Sequence, residues 1–442
     1  LMKNNAPKEV TETIDHKVLE SDELKAELSK GNYAAESGFS LRRTFTALKY
    51  PNYRLWFWGQ MISMLGTWMQ ITAQGFLIYD ITRSPVYLGY VGFASGLPTW
   101  VFMLYGGVIA DRFSRRKILV ITQSIMMALA AILAILTFTS LVQPWHIIVL
   151  AFLLGTANAF DAPSRVSFVN ELVDKPDLTN AIALNSTMFN TATATGPAIA
   201  GIAYAVAGPA WCFTINAVSF IGVLIALNKM KLKKHVISLS GRSAFAEIKE
   251  GLKYIAREPI IRVIFLMVAS MSLFGLSFAT LLPAWSVNIL GGNSATNGFL
   301  QSARGAGALA SALFIASLGR FEYKGKLLTI GSIAFPVMMF TFSFVHIIPA
   351  SLMIIFALGS ALILAMNIAN SLVQTLVPDH LRGRVMGVYT LTFFGLLPIG
   401  SLMMGVLAEH FGEAEAILLS SVVTLLVALL IFYFVPAIRK LK

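Results

Sequence analysis

The chain has 442 residues, 56% of them apolar and 13% charged, with a formal net charge of +12 and a mean hydropathy of +0.72. That balance excludes an ordinary soluble globular protein, whose helices need polar faces that long stretches of this sequence lack. The bases form no aromatic-laced patch of the kind that reads nucleic acid, and one cysteine, Cys212, excludes a disulfide framework and any multi-cysteine metal site.

In chain order, residues 1–50 mix acids and bases without the apolar core of a signal peptide. The expectation there is a cytoplasmic N-terminal extension, with Val18–Lys30 spaced as a short amphipathic helix. At about twenty residues per crossing, twelve spans are predicted near 55–79, 86–110, 118–140, 146–168, 179–206, 211–228, 260–289, 296–318, 327–345, 350–376, 385–408 and 416–436. The fold class is therefore an all-α membrane protein with two six-helix bundles, 51–228 and 259–436. A cytoplasmic linker, 229–258, joins them, and 437–442 forms a short tail. Within the linker Phe245, Ile248, Leu252 and Ile255 recur at helical spacing opposite Glu247, Lys249, Glu250 and Lys253, an amphipathic helix lying on the membrane face. Bases crowd into alternate loops, Arg115, Arg116 and Lys117 in one and Lys229, Lys231, Lys233 and Lys234 in another. The opposite loops hold Arg83 and acids such as Glu409, Glu413 and Glu415. Basic loops stay inside, so both termini are expected in the cytoplasm. The halves echo each other: Arg112-Phe113 with Lys117-Ile118-Leu119 returns as Arg320-Phe321 with Lys326-Leu327-Leu328, although Asp111 becomes Gly319.

Polar side chains inside spans are costly unless they face protein or water, so they mark candidate sites. Gln60, Ser63, Thr67, Gln70 and Gln74 share one face of the first span, as helix–helix glue or as a cavity wall. The fifth span has Ser186, Asn190, Thr193, Pro197 and Gly201, and Gly196-Pro197 is compatible with a bend or rocking contact and equally with a merely structural kink. The tenth offers Asn367, Asn370 and Gln374; the fourth offers Asn158, Asp161 and Arg165, the latter two able to pair across one turn. Asp161 is the one acid inside a predicted span. It reads as a proton carrier or, the favoured of the two, as a gate paired with Arg112 or Arg116. Arg304, beside Gln301 in the eighth span, lies too deep to snorkel easily and reads either as paired to carbonyls or a distant polar cluster or, the favoured of the two, as a counter-charge for an anionic or oxygen-rich substrate. Trp285, Phe274 and Met271 of the seventh could add adaptable apolar contact. The expected cavity walls are the first, fourth, fifth, seventh, eighth and tenth spans. The substrate-binding candidates are thus Arg304, Gln60, Thr67, Gln70, Gln74, Asn190, Gln301, Asn367 and Asn370. The gating candidates are Asp111, Arg112, Arg115, Arg116, Asp161, Arg165, Gly196 and Pro197. No nucleophile–base pair, metal cluster or phosphate loop is present, so neither an enzyme nor a cofactor is expected.

Gly107, Asp111, Arg112, Arg115 and Arg116, just after the second span, resemble the G-x-x-x-D-R-x-x-R-R loop of major facilitator superfamily transporters. Tyr50-Pro51-Asn52-Tyr53-Arg54, Gly66-Thr67-Trp68-Met69-Gln70, Asp161-Ala162-Pro163-Ser164-Arg165, Asn180-Ala181 and Leu381-Arg382-Gly383-Arg384 narrow the resemblance to the bacterial branch of enterobactin exporters and macrolide-efflux proteins. Gly196-Pro197 with Gly201 resembles, in part, the fifth-helix signature of exporters in the superfamily. The resemblance implies a monomeric secondary transporter in the bacterial cytoplasmic (inner) membrane, exporting a siderophore-like or drug-like small molecule by proton-coupled alternating access. Its partners would be that substrate, protons and membrane lipids, with no nucleic acid, and its site would lie between the halves near the midplane. It also implies that Asp111 latches the cytoplasmic side against the start of the eleventh span, placed near Gly383-Arg384. The alternative is a lipid or lysolipid flippase, which a cleft open sideways to lipid would favour; a third class, a non-transporting sensor, predicts sealed packing.

Overall fold

The computed structural model describes residues 45–232, 244–319 and 321–441, with backbone alone at 103–108, 110–112 and 244–246. The expectations for Val18–Lys30, for Arg320 and for the side chains of Gly107, Asp111 and Arg112 fall outside the described residues. Thr46–Lys442 forms one compact unit, and every element described in it is a helix.

The first half comprises α1 (Pro51–Thr82), α2 (Pro85–Arg112), α3 (Arg115–Phe138), α4 (Pro144–Phe168), α5 (Leu178–Ala207) and α6 (Pro209–Lys229). The amphipathic α7 (Ala244–Arg257) follows. The second half comprises α8 (Pro259–Asn288), α9 (Ser294–Ser317), α10 (Lys324–Phe342), α11 (Ile348–Leu376), α12 (Asp379–Phe411) and α13 (Glu413–Phe434). Nine of these are long and apolar enough to cross a membrane on length and composition alone. The other three long helices are α1, α2 and α5, with 32, 28 and 30 residues; α1 and α5 are the two whose polar stripes lower their hydropathy. Proline opens α1, α2, α4, α6, α8 and α11, where its missing N–H costs no helical bond.

The two halves repeat in their packing. In the first, α2 lies on α4, α1 and α3 on α6, and α3 on α4; in the second, α9 lies on α11, α10 on α13 and α10 on α11. The last turn of each half is also shared. Gly208 joins α5 to α6 at φ +89°, and Gly412 joins α12 to α13 at φ +97°, a backbone region glycine enters without a Cβ clash.

Two features depart from the expected spans. The seventh is not one continuous α-helix: a π-turn, Met271–Gly275, leads into a 3-10 segment, Leu276–Leu281, before α-geometry resumes at Leu282. Pro283 cannot donate to the carbonyl four residues back, and Ser272 and Ser277 divert their hydroxyls to the carbonyls of Phe393 and Leu273, both at 2.5 Å. The eleventh begins at Asp379 after Pro378, not near Gly383-Arg384, because Pro378 holds an extended backbone that starts the helix earlier. Gly383-Arg384 is therefore interior to α12, and Arg384 pairs instead with Glu250 of α7 at 2.5 Å.

Candidate functional site

A chamber of about 630 Å³ opens between the start of α1, the end of α4 and the start of α5. This is the face carrying most loop bases. Val166 and Ile182 on its wall, at the helix ends next to that face, are 75% and 52% exposed. Gln60, Thr67, Asn158, Asp161, Arg165, Ser186 and Asn190 all line it, among apolar Met64, Trp68, Met126 and Phe189. Among the described residues the second half contributes only Phe394 to the chamber wall.

Asp161 is the buried charge of the chamber, 1% exposed. Thr122 and Gln123 of α3 each donate to its Oδ1 at 2.9 Å. Arg165, one turn on, sits 3.2 Å from Oδ2 as an ion pair, although Oδ2 accepts no hydrogen bond of good geometry. Two donors and a guanidinium offset the cost of holding a carboxylate away from water. The expected pairing with Arg116 is not made: Arg116 donates to the carbonyls of Asn228 and Met230 at the end of α6. Arg115 instead binds Glu171 at 2.8 Å. Both bases thus fasten loops within the first half.

The polar stripe of α1 divides between its two readings. Gln60 and Thr67 face the chamber. Gln70 accepts from Asn216 of α6 at 2.6 Å, fully inside the first bundle, and so serves as glue. Gln74 continues into a deeper recess of about 230 Å³, which Gln301 and Arg304 of α9 also line. Trp68 and Ile71 belong to both cavities. Asn367 is exposed on α11 and Asn370 accepts from Gln374; neither lines the chamber or the recess. Trp285 and Met271 are not cavity walls either: both are buried in the core of the second half, where Trp285 stacks on Phe342 at 4.6 Å. Gly196 packs on Trp68 of α1.

On the opposite face two seams close the halves against each other. Along α5 and α9, a Cβ at Gly298 would stand 2.4 Å from the Pro197 carbonyl oxygen, and one at Gly305 2.6 Å from that of Thr193. Thr193 is the residue whose carbonyl Pro197 leaves without its usual donor, and Ala198 N–H donates to Ser302 across the same seam at 2.8 Å. Along α2 and α12, Gly89 and Gly405 bring their backbones together in the same manner. Beyond them Ser84 donates to Glu409 at 2.6 Å. Small residues let two helices meet backbone to backbone. One face is open and the other sealed.

The pattern of the family described as transmembrane secretion effectors, within the major facilitator superfamily, matches residues 42–441. The chain belongs to that family. It is 26% identical to the staphyloferrin A transporter of Staphylococcus aureus, covering 88% of this chain and 97% of that one. It is 23% identical to macrolide efflux protein A of Streptococcus pyogenes (89% and 99%) and 21% identical to the enterobactin exporter EntS of Salmonella choleraesuis (89% and 94%). Among solved structures it resembles an inward-facing, unoccupied bacterial homolog of the human lysosomal transporter Spinster, with a TM-score of 0.67 at 12% identity over 91% of this chain and 98% of that one. A POT family transporter in complex with 5-aminolevulinic acid gives 0.68 at 12%, over 88% and 96%. Those two likenesses concern the fold. The chain is a multi-pass membrane transporter of small molecules, not an enzyme.

Within this secretion-effector chain the blocks that carried the resemblance dock on one another. Tyr53 OH donates to the Ala181 carbonyl at 2.8 Å and Ala47 N–H to Asn180 Oδ1 at 2.9 Å. Tyr50 OH and Lys49 Nζ both reach Asp177 Oδ2 at 2.7 Å. The Lys49 ammonium, then the Tyr50 hydroxyl, hold the Asp177 carboxyl below its usual range, and Asp177 in turn raises Lys49. Sequence reasoning missed Ser95 and Thr280 of the recess and the contributions of α2, α3 and α12. A lone serine or threonine in a span carries no stripe to find it by.

Proposed function

We propose that this protein exports a siderophore-like or drug-like small molecule across a bacterial inner membrane by alternating access, drawing on the proton gradient. One observation carries the reading: a chamber of drug-like size stands open at one face while two backbone seams seal the other. The bases of the open face support a cytoplasmic position for it and for the termini under the positive-inside rule. An exporter in this form is poised to load. Asp161, buried in the chamber wall, is the group on which proton coupling rests. Gln60, Thr67 and Asn190 are the chamber's polar contacts, and Gly196 and Pro197 belong to the helix that must move. Asp111 would latch the open face when it closes. By their names the relatives move siderophores and macrolides, which favours export over lipid flipping. The protein is proposed to act as a monomer surrounded by lipid, needing no cofactor.

The test is an untargeted comparison of compounds accumulated by cells with and without the protein, each with and without a protonophore. The expected result is a small set of compounds retained only when the protein is absent, and retained again when the gradient is collapsed. An identical compound profile in all four cultures would refute export.

A further inference from the structure

We infer that the deep recess is an anion subsite built around Arg304, and that the transported molecule is an amphiphile with an anionic, oxygen-bearing end and an apolar body. The inference rests on the cleft being the transport site and names the chemistry of what fills it.

Arg304 lies ten positions after Ser294 in α9, about 15 Å along the helix at 1.5 Å per residue, beyond easy reach of either membrane face. Its Nε is buried with no acceptor, and it takes part in none of the ion pairs among the described residues. Among the described residues the recess lining contains no acid. Of its other polar residues, Ser95 donates to the Gly92 carbonyl, Thr280 to Ser401, and Gln301 to Asn297. The recess therefore holds one uncompensated charge, and that charge is positive.

The internal repeat shows that the fold does not require it. A Cβ on Gly155 of α4 would meet the Ser95 carbonyl at 2.1 Å, and one on Gly359 of α11 would meet the Arg304 carbonyl at 2.2 Å. Ser95 and Arg304 thus occupy equivalent places where α2 crosses α4 and α9 crosses α11. The same crossing is built with a serine in one half and an arginine in the other, so packing leaves the guanidinium unexplained. A cation inside the bundle without a counter-ion is costly, and an incoming carboxylate, sulfonate or phosphate supplies what the described residues lack.

Size and continuity extend the argument to the rest of the molecule. A cavity of about 150 Å³ takes one benzene ring, so about 230 Å³ accepts a single acidic head group with a ring or a few waters. Trp68 and Ile71 border both the recess and the chamber. A ligand seated on Arg304 therefore extends past them onto Met64 and Phe189. The chamber charges Asp161 and Arg165 are already paired, so the body meets no free charge among the described lining residues and packs on the apolar side chains Met64, Trp68, Met126 and Phe189.

The test is binding of three matched probes to purified protein in nanodiscs, by calorimetry: 1-naphthylacetate, its neutral amide, and 1-naphthylmethylammonium. Wild type should bind the anion about tenfold to a hundredfold more tightly than the amide, as expected of one charge-assisted contact, with the cation weakest. Arg304→Gln should abolish that preference, and Arg304→Lys should keep part of it. Gln74→Glu, which sets an acid in the same recess without removing Arg304, should also erase the preference. This guards against an Arg304 variant that fails to fold. Equal binding of the three probes by wild type overturns the anion subsite and leaves the transport cleft intact. Binding of none, the amide included, overturns both.

Discussion

Gly298→Ala should tip the protein toward the form open at its sealed face. The new Cβ would lie 2.4 Å from the Pro197 carbonyl oxygen and 3.0 Å from Gly201 Cα, and both of those atoms are backbone. Ordinary contact begins at 3.4 Å, so α5 and α9 must part by roughly 1 Å, at an overpacking cost of about 1–3 kcal/mol. Under alternating access this seam exists only in the form observed here, and the cost falls on that form alone. The equilibrium then shifts by about 5- to 150-fold. A single introduced cysteine reports the change cleanly, because the native Cys212 is fully buried. Ile182→Cys, on the open chamber wall, should react more slowly with an impermeant maleimide when Gly298→Ala is added. Thr280→Cys, in the recess, should react faster from the opposite side. Unchanged rates at both positions would refute the argument that the seam sets the resting form.

Three further outcomes are expected. Asp161→Asn keeps the shape that Thr122 and Gln123 hold but removes the carboxylate; in proteoliposomes, uptake driven by a pH gradient should vanish while substrate exchange persists, and intact gradient-driven uptake would remove Asp161 from coupling. Exchanging Gln70 and Asn216 for alanine, singly and together, should show a coupling of about 0.6 kcal/mol in unfolding from mixed micelles, the size typical of hydrogen bonds inside bundles; a coupling of zero would mean that the pair seen at 2.6 Å adds nothing. Because Lys49 and Tyr50 depress the Asp177 carboxyl, the docking of α1 on the α4–α5 loop gains from that charge above the usual carboxylate range and loses the gain as pH falls through the lowered value. Lys49, raised by Asp177, keeps its share below the usual lysine range and loses it as pH rises through the raised value. Melting temperature followed by intrinsic fluorescence should fall on the acid side in wild type and less steeply in Asp177→Asn.

Much of this architecture was legible because a membrane enforces simple rules. Twenty apolar residues must become a helix, and the tally of bases separates one set of loops from the other, so span positions agree with the helices to within a few residues at most ends. The seventh span was harder. Its composition is as apolar as its neighbours', and Pro283 was the only hint that Met271–Leu281 would leave α-geometry. The stripe on α1 shows where pattern stops being informative. Gln60, Gln70 and Gln74 share a helical face, yet one meets the chamber, one Asn216 and one the recess, since spacing tells which residues point together and not which neighbour stands opposite. Arg304 stood out at once because an intramembrane cation is rare; its equivalence to Ser95 could emerge only from the crossing of real helices.

Among the described residues the chamber wall belongs almost wholly to the first half, with Phe394 the lone contributor from the second, whereas the recess draws Thr280, Gln301 and Arg304 from the second. A passenger lodged there would be held by its bulk to one half and by its tip to the other. If the halves pivot as proposed, its bulk rides along while its tip is pulled free. Departure is then governed by how firmly that tip is gripped, so a cargo too tightly held at its end would stall the cycle rather than hasten it.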